Sequence, residues 1–361
     1  DWPDEATLSL DLRRAVVSGQ ELSPVAARLG YSAKALTLSD LRIGGIGEVG
    51  VEGEGRFDRG AATGHLDLAA YAPSAAQLTA FVTPALPATL APRLDSLASL
   101  KGPAQARLSL DLAKGTKPDR SVASATLELA TAVLKAKLQG TASPLVAALR
   151  AADRAALQSG DVALAVKLDG AGRQVAALLG LAQAIGVGDA PVTADLSVTG
   201  SWQAPQQMKV RLSGADIDAD LDGRIESAAD WLTPQKATFT LAARRLDLAP
   251  LFDLPAGRLP ALAVRSRIGV DGDRMTFDDI DGTVAGSRLR GHLAVTRGNE
   301  PAFNGEAGVD SLDLGSSLAL LLGASGRGPD EPLSRSLLAG ARGAIKFQAL
   351  RAVLPGGAEL R

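Results

Sequence analysis

The chain has 361 residues, 46% of them apolar but only 3% aromatic, with a formal net charge of -2 and no cysteine. So few rings favour a long face lined with small aliphatics over one dense globular core. There is no basic stripe for nucleic acid, disulfides and thiolate metal sites are excluded, and no apolar run reaches the roughly 18 residues of a membrane-spanning helix.

The chain opens at Asp1 without Met or a leader-like stretch, which reads as a mature portion or an excerpt whose anchor lies elsewhere. Period-two alternation then dominates. Leu8, Leu10 and Leu12 share one face, as do Leu134, Ala136 and Leu138, and Val162, Leu164, Val166 and Leu168. Further on come Ile217, Ala219, Leu221 and Ile225, then Phe239 and Leu241, then Leu289, Leu293 and Val295. Each run is apolar on one side and polar or Gly on the other, as a sheet with one wetted face requires. Gly272-Asp273, Gly298-Asn299 and Gly356-Gly357 punctuate the strands as meander turns, without the spacing of parallel βαβ units.

Helix-period stretches lie between strands at Pro73 to Val82, Pro144 to Leu157, Gly172 to Ile185 and Ser316 to Leu322. Asp153-Arg154 reads as exposed. The stretch from Gly172 is nearly apolar, so it packs on the core, covers the mouth of the sheet or binds a partner. An apolar-Asp-apolar triplet recurs at Leu10 to Leu12, Leu66 to Leu68, Leu110 to Leu112, Leu168 to Gly170, Leu246 to Leu248 and Leu312 to Leu314. Such self-similarity signals a repeat architecture. We therefore expect a mainly β chain, one elongated, twisted antiparallel sheet of loose repeats with short helices, divided at about 1–65, 66–167, 168–245, 246–311 and 312–361. Within the best-defined repeat, separate strands are expected near Met275 to Asp278 and Thr283 to Gly286. About eighteen strands at about 4.8 Å each would extend on the order of 85 Å.

Several motifs fail on their chemistry. Gly45-x-Gly47-x-x-Gly50 matches a dinucleotide fingerprint but runs into an alternating strand, where the pyrophosphate would need a helix N-terminus. Asp218-x-Asp220-x-Asp222-Gly223 opens like a calcium loop, yet Ala229 stands where a bidentate Glu belongs. Those aspartates, with Asp216, read as a solvated acidic face, and Asp271, Asp273, Asp278, Asp279 and Asp281 as turn residues. His65 and His292 read as strand-face residues, since two isolated histidines make no three-ligand zinc site. Trp202 and Trp231 read as packing residues. No catalytic, cofactor or metal site is expected, and the chain is not expected to be an enzyme.

The order of strand, Leu-Asp-Leu, helix and Pro-flanked strand, with the stretches Phe277 to Gly291 and Leu36 to Phe57, resembles the AsmA family of bacterial envelope proteins. The resemblance implies a plan like that of bridge-type lipid-transfer proteins. An inner-membrane anchor would lie outside this chain, and a periplasmic sheet would curl into an apolar groove. Phospholipid tails would lie in it, with membranes and envelope protein partners at its ends. Burial of tails is worth about 0.8 kcal/mol per CH₂. The alternation places Leu8, Leu10, Leu12, Leu134, Leu138, Leu164, Val166, Leu196, Val198, Val210, Leu212, Ile217, Leu221, Ile225, Phe239, Leu241, Val264, Ile268, Val270, Leu289, Leu293 and Val295 on the face that would line the groove. The competing expectation is a closed β core serving as a scaffold in outer-membrane biogenesis.

Overall fold

The computed structural model describes residues 4–17, 20–44, 48–82, 102–114, 121–143, 161–178, 190–201, 206–230, 233–247, 261–284, 286–297, 302–314, 342–354 and 358–360. The expected helices at 144–157 and 316–322 lie outside them, as do Gly45, Gly47, Asp153-Arg154, Trp202 and Trp231.

Among the described residues the fold is mainly β. The chain runs β1 (Glu5–Leu12), β2 (Ala15–Val17), β3 (Gln20–Leu22), β4 (Val25–Ser32), β5 (Ala35–Ile43), β6 (Gly50–Asp58), β7 (Thr63–Ala72) and helix α1 (Ala75–Val82). It continues through β8 (Ala104–Lys114), β9 (Ser121–Thr131), β10 (Leu134–Ser143), β11 (Asp161–Ala171) and helix α2 (Gly172–Leu178). Then come β12 (Pro191–Ser201), β13 (Gln206–Gly214), β14 (Ile217–Asp230), β15 (Thr233–Leu246), β16 (Leu262–Asp271), β17 (Arg274–Val284), β18 (Ser287–Thr296), β19 (Ala302–Asp313), β20 (Arg342–Val353) and β21 (Glu359–Leu360). Among the described residues the β2–β3 pair stands by itself, and the other strands join into extended sheet within each unit. The chain divides into two compact units, Asp1–Gly170 with Ala177–Gly180 and Ser197–Ala204, and Ala171–Ala176 with Leu181–Leu196 and Pro205–Arg361.

In the first unit β1 pairs with β4, and β4 to β11 then follow as neighbours in chain order, every pair antiparallel. In the second unit β13 to β19 form the same kind of meander. The β19–β20 pair is parallel, within an otherwise mainly antiparallel arrangement. Residues 314–341 separate these two strands, room enough for the chain to return to the end where β19 started.

A four-strand unit recurs along the chain. β4–β7 precede α1 and β8–β11 precede α2, and β12–β15 and β16–β19 follow in the same order. Four of the sequence triplets mark the fourth strand each time, at Leu66 to Leu68 in β7, Leu168 to Gly170 in β11, Leu246-Asp247 at the end of β15, and Leu312 to Leu314 at the end of β19. The helix α1 starts on a cap that its sequence supplies. The Ser74 hydroxyl accepts the Gln77 amide hydrogen at 3.3 Å, and Ala75 and Leu78 are buried beneath the first turn. Helix α2, which covers the first half of the stretch expected from Gly172, buries Val175 and Ala176.

Three bulges carry the pattern past breaks in the alternation. In β5, β15 and β17 one extra residue stands against both neighbouring strands, at Ser39-Asp40, Arg244-Arg245 and Asp278-Asp279. Each bulge turns two consecutive polar residues outward and lets apolar residues three apart, Leu38 and Leu41, Ala243 and Leu246, Phe277 and Ile280, share one face. This corrects the sequence reading at β17. It is one strand and not two, and Asp278, Asp279 and Asp281 are strand residues. Asp40 and Asp279 take left-handed backbone at φ 57° and 52°, a conformation Asp accepts more readily than most residues. Both bulges also attract an arginine from the strand before, Arg28 at 3.7 Å from Asp40 and Arg267 at 2.7 Å from Asp279.

Glycine is needed where large apolar residues lie across the next strand. A Cβ on Gly223 would fall against the Thr238 carbonyl oxygen and stand 2.6 Å from the Phe239 Cα. Gly223→Ala should therefore lower stability by about 1–3 kcal/mol, the usual cost of overpacking, read as a lower urea midpoint.

Candidate functional site

The candidate site is the apolar face, which follows from period-two alternation once hairpin register is fixed. In the first unit one row of directly paired residues runs Leu8, Leu29, Leu38, Gly55, Leu66, Leu110, Ala125, Gly140 and Leu164. A parallel row runs Leu41, Gly53, Leu68, Leu108, Leu127, Leu138 and Val166. The rows cross from strand to strand without a charged residue. In the second unit the corresponding row is Met208, Gly223, Phe239, Ile268, Phe277, Leu293, Gly305 and Ile345.

The two units differ in how far this face is covered. In the second, Ile225, Ala237, Phe239, Ile268 and Val270 form a buried cluster with Met208, Leu221, Leu241, Met275 and Phe277 packed against it. Val210, Leu212 and Ile217 are also buried, whereas Val264, Leu289, Leu293 and Val295 are half-buried. In the first unit burial collects at Val51, Ala72, Ala104, Leu134 and Leu168, on the side of the sheet where α1 is attached. Away from that side Leu138, Leu164 and Val166 are half-buried, and Leu8, Leu29, Leu36, Leu110 and Leu127 are exposed, Leu8 by 54% and Leu29 by 42%; Leu10 and Leu12 of β1 are exposed as well. Exposed apolar side chains scattered singly are ordinary, but aligned rows of them mark a surface that meets something apolar. In β12 the alternate residues Val192, Ala194, Leu196 and Val198 are all buried.

The positions expected from sequence thus divide into buried, half-buried and exposed members of the same kind of face. Sequence reasoning missed Leu29, Leu36, Leu38, Leu41, Leu66, Leu68, Leu108, Leu110 and Leu127. In β6 glycines hide the alternation, because Gly53 and Gly55 hold positions on the apolar face with no side chain of their own, whereas β8 and β9 alternate plainly at Leu108, Leu110 and Leu127. The signal that would have found them is a glycine paired across the strand with a leucine, as Gly55 is with Leu66 and Gly53 with Leu68.

The opposite face is charged and cross-linked. Arg244 donates to Asp218 at 2.8 Å and to Asp220 at 2.6 Å, and Arg211 donates to Asp220 at 3.1 Å. Lys209 lies 3.3 Å from Asp222. The run from Asp218 to Asp222 is a solvent-exposed strand face whose carboxylates are paired with arginine and lysine. Hydrogen bonds to Asp220 and Asp218 raise the Arg244 pKa. Asp281 accepts two bonds from the Arg288 guanidinium, at 3.1 and 3.2 Å, and these hold its carboxyl below the usual carboxylate range. In the first unit this charged side carries a concavity of about 500 Å³ lined by Asp40, Arg42, Glu52, Glu54, Asp67, Arg107, Ser109 and Glu128, among others. The same side holds His65, whose Nδ1 lies 2.5 Å from an Asp111 oxygen while Nε2 meets Asp67.

Among the described residues no group of three or more His, Asp or Glu side chains is placed to hold a metal ion. Comparison with family models, with curated proteins and with solved structures gave no match.

The difference in cover between the units has a measurable consequence. Phe239→Ala should cost about 3–5 kcal/mol, because it empties a filled site. Leu29→Ala should cost about 1 kcal/mol or less, because much of that side chain already meets solvent. Equal losses in urea unfolding of the two variants would contradict this assignment.

Proposed function

We propose that this chain is a segment of a periplasmic, AsmA-like protein that shields or conducts phospholipid acyl chains along the apolar face of its sheet, between the inner and outer membranes. The observation that supports the reading most is the pair of uninterrupted apolar rows across β4 to β11, with large leucines exposed along them. Exposed aliphatic area costs free energy in water, and acyl chains recover about 0.8 kcal/mol for each CH₂ they bury. The rows contain leucine, valine, alanine and glycine but no polar side chain that would fix a particular headgroup. Tails could therefore shift from one row to the next with little change in contact. Charged residues on the other face would keep the sheet soluble.

A scaffold with its own core is the second reading, and the buried cluster around Phe239 favours it for the second unit. In that case the sheet there is self-supporting, and lipid contact is confined to the first.

A photo-crosslinking amino acid placed singly at Leu29, Leu110 and Leu127, with Glu54 as a control on the charged face, tests the proposal in bacteria that secrete the chain to the periplasm. Lipid adducts at the three leucine positions and none at Glu54 are expected. Adducts equally frequent at all four positions, or absent from all, would overturn it.

A further inference from the structure

The charged face of the first unit holds one arrangement that neither ion pairing in general nor the apolar rows explain. His65 stands on β7 with a carboxylate at each ring nitrogen, Asp111 of β8 at 2.5 Å from Nδ1 and Asp67 of its own strand at Nε2. The second oxygen of Asp67 accepts the Ser109 hydroxyl of β8 at 2.5 Å. A neutral imidazole has one N–H donor and one lone pair, so it can serve only one of two carboxylates. The imidazolium serves both.

The location gives this a mechanical meaning. β7 and β8 are not a hairpin, since the chain leaves β7 at Ala72 and returns at Ala104 after α1. That connection ties the strands together at one end. The opposite end, where Gly64 pairs with Leu112 and His65 with Asp111, has no covalent link between the two strands. We propose that His65 is a protonation-controlled fastener, which as imidazolium ties this end of β7 to β8 through Asp67 and Asp111 and on losing its proton releases one carboxylate and loosens the pair.

The surrounding charges are mixed in sign. Arg56 of β6 stands directly across from His65 and opposes its charge, while Glu54 of β6 stands across from Asp67. Asp67 and Asp111 outweigh them by direct hydrogen bonding. The bonds to Asp111 and then Asp67 raise the His65 pKa above 6.5. The Ser109 hydroxyl, and then His65, hold Asp67 below its usual value. A histidine pKa raised by folding adds stability that is complete below the unfolded value and is lost as pH rises through the folded one. The fastener is therefore closed below the ordinary histidine value and opens as pH rises through the raised one. The Asp67 end also lines the concavity described above, so the local charge there changes with the same proton.

Nitrogen-15 NMR of the histidine side chains in the full chain tests this, with His292 as an internal reference. At pH 6, below the ordinary histidine value, both His65 nitrogens should be protonated, and Asp67→Asn and Asp111→Asn should each lower its midpoint. Hydrogen-exchange protection of the β7 and β8 amides at this end should fall several-fold as pH rises through that midpoint. In His65→Lys, which keeps its charge there, protection should stay level. A neutral His65 tautomer at pH 6, a midpoint unmoved by both Asn variants, or the same protection profile in His65→Lys would each overturn the proposal. None of these readouts depends on lipid, so the fastener and the proposed function stand or fall separately.

Discussion

In an antiparallel meander a slip of one residue in any strand pair turns every leucine of that strand to the wetted side. The long apolar rows exist only because each successive pair avoids that slip, from β4 to β11 in one unit and from β13 to β19 in the other. Register is fixed here by two opposing penalties. Leucine turned outward would lose its neighbours, and Asp, Arg or Glu turned inward would lose water and its partner. Cross-strand pairs such as Arg211 with Asp220 and Arg288 with Asp281 add direction to this, although solvent screens each exposed pair.

The bulges show the same constraint at the places where the sequence would break it. An extra residue in β5, β15 or β17 should reverse the faces beyond it, yet each bulge absorbs that residue as one of two outward polar neighbours. Leu38 and Leu41, like Phe277 and Ile280, thereby stay in their rows although three positions apart. The equivalent placing of Asp40 with Arg28 and of Asp279 with Arg267 marks β4–β5 and β16–β17 as copies of one structural unit.

Much of this was legible in the sequence. Alternation gave the strands, the meander turns gave their antiparallel order, and the Leu-Asp triplets picked out the fourth strand of each unit. What alternation could not reveal was the continuity of β17, because a bulge looks like a turn when only spacing is read. Rows interrupted by Gly53 and Gly55 stayed hidden because glycine carries no hydropathic signal. The partners of His65 were also out of reach. Asp111 is 46 residues away, and only the pairing of β7 with β8 brings the two together. Parallel pairing of β20 depends on residues 314–341, which carry no alternation that would place them.

The account rests on the apolar face of the first unit being covered by lipid tails. Native mass spectrometry of the chain purified from a bacterial envelope measures this most directly. The account predicts folded protein carrying phospholipid mass that is lost when Leu29 and Leu110 are replaced by Asp. A folded chain free of lipid, as isolated and after incubation with phospholipid vesicles, would contradict it.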